Sequence, residues 1–139
     1  MTNRRCFLCC GLAGMFAGSS RAFAQAPGRV YRLGYLSARA THADVDDAFV
    51  RGMRELGYVV GRNLAIEYRW AGNDLNRLQQ LADELARLDV DVIVTATTAG
   101  TRAAMRATTT IPIVMAASAD PVAAGLVASL NRPGGNVTG

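Results

Sequence analysis

Residues 108–139, TTTIPIVMAASADPVAAGLVASLNRPGGNVTG, contain the series of signals that decides the fold. The apolar run at residues 113–116 predicts a buried strand. Asp120-Pro121 predicts a helix start, with Asp as the N-cap, and the turn at residues 132–135 is predicted to end that helix. A new extended segment begins at residues 136–138, so strand, helix and strand follow one another as they do in α/β proteins.

Three more strands are predicted upstream of this stretch. They occupy residues 30–36, 64–70 and 92–94, which are rich in aliphatic and aromatic side chains. Apolar and polar residues alternate within 64–70, a pattern typical of a half-exposed strand at the edge of a sheet. Residues 92–94 are continuously apolar, as expected for a strand that is covered on both faces.

Helical spacing links these strands. The first helix is predicted to begin with a capping box at Thr41 and Asp44 and to stop at Gly57. The second is predicted to be capped by residues 72–74, and the third to begin at Thr97-Thr98. The apolar faces predicted for the first two helices consist of Val45, Ala48, Phe49, Gly52, Met53 and Leu56, and of Leu75, Leu78, Leu81, Ala82, Leu85 and Leu88. The fold class is therefore predicted to be α/β, a Rossmann-like parallel sheet with helices on both faces and right-handed crossovers.

The charge balance argues against a nucleic-acid-binding protein. The formal net charge is +4, but Arg4, Arg5 and Arg21 belong to the N-terminal leader described below. Without them, 12 of the 15 basic residues remain against 11 acidic residues. A nucleic-acid-binding domain would keep a clear basic surplus. The three cysteines also lie in that leader, so the rest of the chain has neither a disulfide framework nor a thiolate metal site.

Residues 1–24 have the three parts of a secretory signal peptide. Arg4-Arg5 form a positive region, residues 6–17 form an apolar region, and residues 22–24 form a small-x-small cleavage site. The apolar run is too short to span a bilayer. Cleavage after Ala24 would leave Gln25 as the mature N-terminus and place the protein in the periplasm.

Two export routes are compatible with this leader. Arg4-Arg5-Cys6-Phe7-Leu8 resembles the twin-arginine pattern, while an ordinary Sec leader that starts with two arginines fits as well. All cysteines precede the cleavage site, which argues against a lipid-modified N-terminus. The sequence thus predicts a signal peptide at 1–24 and an α/β lobe at 25–139.

Ligands of an open α/β sheet bind beyond the carboxyl ends of its strands. The loops after the first, third and fourth predicted strands therefore offer the candidate ligand contacts, which are Ser37, Thr97, Thr98, Ala99 and Asp120. Hydroxyls and free amides at a helix N-terminus can hold a carboxylate, and the carboxylate of Asp120 could hold an ammonium group. A structural interpretation stands beside this one, because Thr97, Thr98 and Asp120 are also favoured N-cap residues.

The sequence contains none of the common motifs of catalysis or cofactor binding. The loop after the first strand lacks the glycines of a dinucleotide site, and neither a P-loop nor a G-x-S-x-G motif is present. No nucleophile is paired with a base, and His42 is the single histidine, whereas a metal site needs several converging ligands. We therefore predict a binding protein without cofactor or metal rather than an enzyme.

Eight segments together resemble the ABC-transporter substrate-binding proteins of the tryptophan/tyrosine-type group. In chain order the matching segments are residues 31–36, 49–63, 66–70, 90–94, 110–114, 120–122, 125–127 and 132–139. Their order and spacing carry the resemblance, which implies one lobe of a two-lobed, type-I periplasmic binding fold. One departure is Thr97, where members of the family commonly have a smaller residue. The larger side chain is expected to narrow the pocket.

The resemblance implies the solute-binding component of an importer. In such proteins two lobes close on a small solute, which then passes to a membrane permease driven by an ATPase, and members with known preferences bind aromatic amino acids. The family pattern places first-lobe contacts in the loop after the first strand, at Thr97-Thr98 and near Asp120. We therefore expect an extracytoplasmic protein whose partners are a small solute, a permease and its ATPase.

The elements identified here account for the first lobe only. A clamshell encloses its ligand between two lobes, so one lobe alone is expected to bind solute weakly or not at all. Two alternatives stay open, a small doubly wound α/β enzyme and a periplasmic ligand sensor. An enzyme would need a catalytic group at a strand end, where the sequence offers only Thr97, Thr98 and Asp120.

Overall fold

Five strands of the described part of the chain, residues 28–139, form one sheet in the computed structural model. In chain order the elements are β1 (Tyr31–Ser37), α1 (Asp44–Glu55), β2 (Leu64–Trp70), α2 (Arg77–Arg87), β3 (Val92–Thr95), α3 (Thr98–Ala107), β4 (Ile113–Met115) and β5 (Val137–Thr138). The strand order is β2-β1-β3-β4-β5, and every neighbouring pair is parallel. The predicted α/β fold with a parallel sheet is confirmed, and β2 lies at the sheet edge as its alternating pattern predicted.

Helices cover both faces of the sheet, and β1 shows how the sequence divides between them. Leu33 and Tyr35 point toward α1, while Leu36 joins the core beneath α2 and α3. Gly34 also faces α2, where a Cβ atom would lie 3.0 Å from the side chain of Leu85. The glycine therefore allows α2 to approach the central strand closely, and full burial of a Leu side chain there stabilises the fold by roughly 1.5–3 kcal/mol.

The start of α1 differs from the prediction. The N-cap is Ala43, whose amide donates a 2.9 Å hydrogen bond to the carboxylate of Asp46 at the third helical position. The predicted box at Thr41 and Asp44 is wrong because the helix begins at Asp44, two residues later than that box requires, so the acid at the third helical position is Asp46. The helix ends as predicted at Gly57, which has a φ of +89°.

Four apolar residues predicted to be buried lie in solvent. Leu56, the C-cap of α1, is 73 % exposed, Val45 is 54 % exposed, and Ala48 is exposed as well. Leu75 is also exposed, because residues 72–76 form turns and α2 begins only at Arg77. The predicted cap at residues 72–74 is therefore wrong, and the N-cap Asn76 makes no side-chain capping bond.

The helix predicted from Asp120-Pro121 is a single turn. Asp120 acts as its cap, with its carboxylate accepting a 2.8 Å hydrogen bond from the amide of Ala123. Gly125, with a φ of +66°, ends the turn at once, since the amide of Leu126 bonds to the carbonyl of Pro121 and that of Gly125 to the carbonyl of Val122. These two bonds are the pattern by which a left-handed glycine terminates a helix.

Within residues 28–139, none of the helices has the length and apolar character needed to cross a bilayer. The predicted signal peptide and its cleavage site lie outside the described residues, so the leader stays a prediction.

Candidate functional site

A cleft of about 240 Å³ opens at the carboxyl edge of the sheet. The ends of β1, β3 and β4 supply its floor, because the carboxyl ends of parallel strands meet at one edge. Its lining residues are Tyr35, Ser37, Arg39, Val45, Ala96, Thr97, Ala116 and Ala117. Small side chains line the ends of β3 and β4, so a bound molecule could reach the backbone there.

Ser37 and Thr97 are the two predicted site residues that line the cleft. Ser37 ends β1 and is 0 % exposed, and its hydroxyl accepts a 3.3 Å hydrogen bond from the amide of Arg39. Thr97 is the N-cap of α3, where its hydroxyl accepts a 3.1 Å bond from the amide of Gly100. The capping interpretation of Thr97 is therefore confirmed, and the same residue lies at the cleft.

The other three predicted site residues do not line this cleft. The hydroxyl of Thr98 lies 3.2 Å from that of Ser118, which links the loops after β3 and β4. Ala99 packs against the core beneath α2 and α3. Asp120 is exposed and caps its own turn. In the structure described here, Thr98 supports the rim of the cleft, while Ala99 and Asp120 have structural roles.

A buried carboxylate next to the cleft was missed by the sequence reasoning. Asp46 is 0 % exposed and pairs with the guanidinium of Arg39 and the amide of Ala43. The Tyr35 hydroxyl interacts with the same carboxylate, and Nδ1 of His42 lies 3.6 Å from it. The loop between β1 and α1 is thus fastened to a single acidic side chain. No local pattern could reveal this, because the partners come together only when β1 and α1 pack.

The electrostatics of this group follow from burial and its hydrogen bonds. Burial alone would raise the pKa of Asp46, but hydrogen bonds from Tyr35, the Ala43 amide and Arg39 outweigh it and hold that pKa below its ordinary value. Burial also raises the pKa of Tyr35 to about 12, and the neighbouring Asp46 carboxylate adds to the rise. Near neutral pH, Asp46 is therefore an anion paired with Arg39, and Tyr35 is a neutral phenol.

Aromatic side chains lie on the α1 side of the sheet, beside this group. The rings of Tyr68 and Trp70 stack at 5.0 Å with an interplanar angle of 11°, and His42 meets Trp70 edge-on at 6.1 Å. Tyr35 lies 5.5 Å from Tyr68. The aromatic residues of β2 thus pack against each other and against the β1–α1 loop.

A second cavity of about 240 Å³ lies at the amino edge of the sheet, between Tyr31, Met53 and Tyr58. Its one charged lining residue is Asp91, which is already paired with the Arg29 side chain at 2.7 Å and the Arg32 amide at 2.8 Å. The carboxyl-edge cleft has a guanidinium instead, together with the hydroxyls of Tyr35, Ser37 and Thr97. That combination suits a small polar or zwitterionic molecule better.

The polar groups of the cleft can form hydrogen bonds and pair with an anion. They are hydroxyls and one guanidinium, and no side chain there pairs a nucleophile with a general base. Across residues 28–139, no cluster of three or more His, Cys, Asp or Glu side chains is arranged to hold a metal ion.

The family profile and the curated relative that match this chain both describe binding proteins. The sequence profile described as "ABC transporter substrate binding protein" matches residues 36–139. A curated relative, the "Tyrosine-binding protein" of Clostridioides difficile strain R20291, is 39 % identical over 107 residues, which are 75 % of this chain and 31 % of the relative.

Two solved structures show the same architecture. A substrate-binding protein with adhesive properties from Clostridium difficile, in a ligand-free open form, matches with a TM-score of 0.71 and 36 % identity over 78 % of this chain. An ABC domain from Streptococcus pneumonia in complex with L-Trp matches with a TM-score of 0.72 and 29 % identity over 79 % of this chain. The matched part is 37 % of the first structure's chain and 38 % of the second's. This chain therefore spans about a third of the length of these relatives, whose names describe binding proteins rather than enzymes.

Proposed function

This chain belongs to the family of ABC transporter substrate-binding proteins, and we propose that it forms one wall of the solute site of an importer. The single observation that carries the proposal is the cleft at the carboxyl edge of the sheet. It combines alanines, which expose the backbone, with the hydroxyls of Ser37 and Thr97 and the cation of Arg39. Such a surface offers hydrogen bonds and charge pairing without any group that could break a bond.

An aromatic amino acid is the proposed solute. Support comes from the relatives, one named for tyrosine and another solved with L-Trp. The cleft supports it as well, because the Arg39 guanidinium can pair with a carboxylate while Tyr35 and Val45 provide apolar contact. Among the predicted contacts we retain Ser37 and Thr97 at the cleft itself and Thr98 at its rim. Ala99 and Asp120 would contact solute only if the loops after β3 and β4 rearranged.

The second wall of the site is proposed to come from another lobe. The relatives are about three times as long as the matched part of this chain, and enclosure between two lobes supplies most of the contacts in a clamshell. A membrane permease and an ATPase are the proposed downstream partners. An N-terminal signal peptide cleaved after Ala24 would deliver the protein to the periplasm.

Two experiments test this proposal. Calorimetry on residues 25–139 should give no measurable heat with micromolar L-tyrosine or L-tryptophan, because only one wall is present. Micromolar affinity would contradict the two-lobe requirement. N-terminal sequencing of the exported protein should start at Gln25, whereas an intact Met1 would contradict the secretory leader.

A further inference from the structure

The contact of Asp46 with the Ala43 amide caps α1, but it uses only Oδ2, and the other carboxylate oxygen, Oδ1, binds Arg39. Taking a carboxylate out of water costs several kcal/mol, and replacing a buried ion pair by apolar residues is often neutral or stabilising. Asp46 is nevertheless fully buried, at the third position of α1, and its neighbours on the sheet are the rings of Tyr35 and Tyr68. A polar group retained at such a place suggests a role in orienting its partners.

The partner that Asp46 orients toward the cleft is Arg39. The Nη2 atom of Arg39 binds the carboxylate, a third of the side chain (33 %) stays exposed, and the residue lines the cleft together with Ser37 and Thr97. The Nε atom of Arg39 is buried and has no hydrogen-bond partner among the described residues. Arg39 is also the one charged residue among those that line the cleft. Its hydrogen-bonding capacity is thus only partly used, at the place where a solute would lie.

We propose that Asp46 is a positioning residue that holds the Arg39 guanidinium in the cleft, so that Arg39 binds the carboxylate of the solute and makes the site selective for carboxylate-bearing molecules. This inference rests on the proposed solute-binding function of the same cleft. A free arginine side chain has several rotamers, and fixing it in advance lowers the entropy that binding must overcome. Charge-assisted pairing with a carboxylate then discriminates against an otherwise identical amine.

Charged and titratable groups from every packed element bear on this pair. The loop contributes His42, with Nδ1 at 3.6 Å from Asp46 and Nε2 at 2.9 Å from Asp47 of α1. The sheet contributes the hydroxyls of Tyr35 and Tyr68, both neutral near pH 7. None of these supplies a second guanidinium or ammonium group, so Arg39 is the cation that a carboxylate would meet.

The test compares L-tryptophan with tryptamine, which lacks the carboxylate, by NMR titration of the whole chain at millimolar concentration. Wild type should bind L-tryptophan about tenfold more tightly than tryptamine, the scale of one charge-assisted hydrogen bond. Asp46→Asn, which keeps a hydrogen-bond acceptor for the Ala43 amide, should reduce that preference to near unity. Arg39→Gln should do the same. Asp44→Asn, an exposed carboxylate in the same helical turn, should leave the preference unchanged.

A second readout needs no ligand and separates the two levels of the proposal. In wild type the Nε–H signal of Arg39 should be a slowly exchanging resonance that shifts as Asp46 titrates, and it should broaden or vanish in Asp46→Asn. If this signal behaves as expected while L-tryptophan shifts only residues away from the cleft, Asp46 positions Arg39 but the proposed solute site is wrong. If Asp46→Asn keeps both the Arg39 signal and the carboxylate preference, the positioning role is wrong. If Asp46→Asn does not fold, the Arg39→Gln titration decides whether Arg39 selects for the carboxylate.

Discussion

The two faces of the sheet are covered by helices that pack in different ways. Beneath α2 and α3 the core is large and mainly apolar, with Leu36, Leu85, Ile93 and Ile113 fully buried, and its buried polar groups are the hydrogen-bonded hydroxyls of Thr95 and Thr101. Apolar burial of this kind depends on close packing and loses free energy steeply when a cavity is opened. This face therefore accounts for most of the stability of the lobe.

The α1 face is partly open and partly polar. Phe49 and Met53 are only half-buried against β1 and β2, and Val45 and Leu56 of the same helix are exposed. This face has a smaller apolar core around Leu33, Leu64 and Val94, and beside it, next to the cleft, lies the buried carboxylate of Asp46. One face thus supplies most of the apolar burial, while the other holds polar groups where the sheet meets the cleft.

The largest effect should come from opening the apolar face. Leu85→Ala removes a fully buried side chain that packs on Gly34, and large-to-small changes of this type cost about 2–5 kcal/mol. Urea unfolding followed by circular dichroism measures the loss. A change below about 1 kcal/mol would mean that α2 is not packed on the sheet as closely as described.

Low pH should destabilise the α1 face, because it protonates the carboxylate of Asp46. The folded-state pKa of Asp46 lies below its ordinary value of 3.8, so its contribution is complete above that value and is lost as the pH falls through the lower, folded pKa. Hydrogen exchange of α1 amides should therefore accelerate at low pH before that of α2 and α3. Asp91 also has a lowered pKa, due to the Arg32 amide and Arg29, so only residue-specific data assign the effect.

The control for the acid experiment is Asp46→Asn. It should abolish the difference in pH dependence between α1 and the other helices. Equal acceleration in all three helices of the wild type would contradict the view that the polar group belongs to the α1 face alone.

A smaller effect is expected at the boundary between core and cleft. Thr97→Ala removes the hydroxyl that caps α3 and should destabilise the lobe by about 1 kcal/mol. Thr109→Ala, at an exposed position after α3, is the matched control and should be neutral. Thermal unfolding of both variants makes the comparison, and equal stability of the two would contradict the capping role.

The smallest change in stability is expected from a substitution at an exposed position on the α1 face. Leu56→Ser should change the free energy of unfolding by less than about 0.5 kcal/mol, because the side chain is already exposed. A loss of more than about 1 kcal/mol in urea unfolding would show that Leu56 is covered in solution.

The order of strands and helices could be predicted because its signals are local. Alternation in residues 64–70 identified an edge strand, and the continuous apolar run at 92–94 identified a central one. The prediction of a fourth helix after Asp120-Pro121 was wrong, and the reason is also local. Gly125 adopts a left-handed conformation that ends the turn. The φ angle of a single glycine in an apolar stretch cannot be predicted from the sequence, because glycine adopts positive and negative φ about equally readily.

The lining of the cleft was predicted only in part, since the positions of its polar groups depend on packing. Ser37 and Thr97 could be predicted because parallel strands bring their carboxyl ends together. Arg39 and Asp46 could not, because an arginine in a loop and an aspartate in a first helical turn both look like solvated residues. Only the approach of α1 to β1 buries the carboxylate and turns the guanidinium toward the cleft.

The central claim, that the carboxyl-edge cleft is the solute site, is tested most directly by mapping where an aromatic amino acid binds. Amide chemical shifts of the whole chain should be recorded as L-tryptophan is raised to millimolar concentrations. We predict saturable shifts at Ser37, Thr97 and Ala117, with none at Tyr58 or Val92 beside the amino-edge cavity. Saturable shifts confined to the amino edge would contradict it.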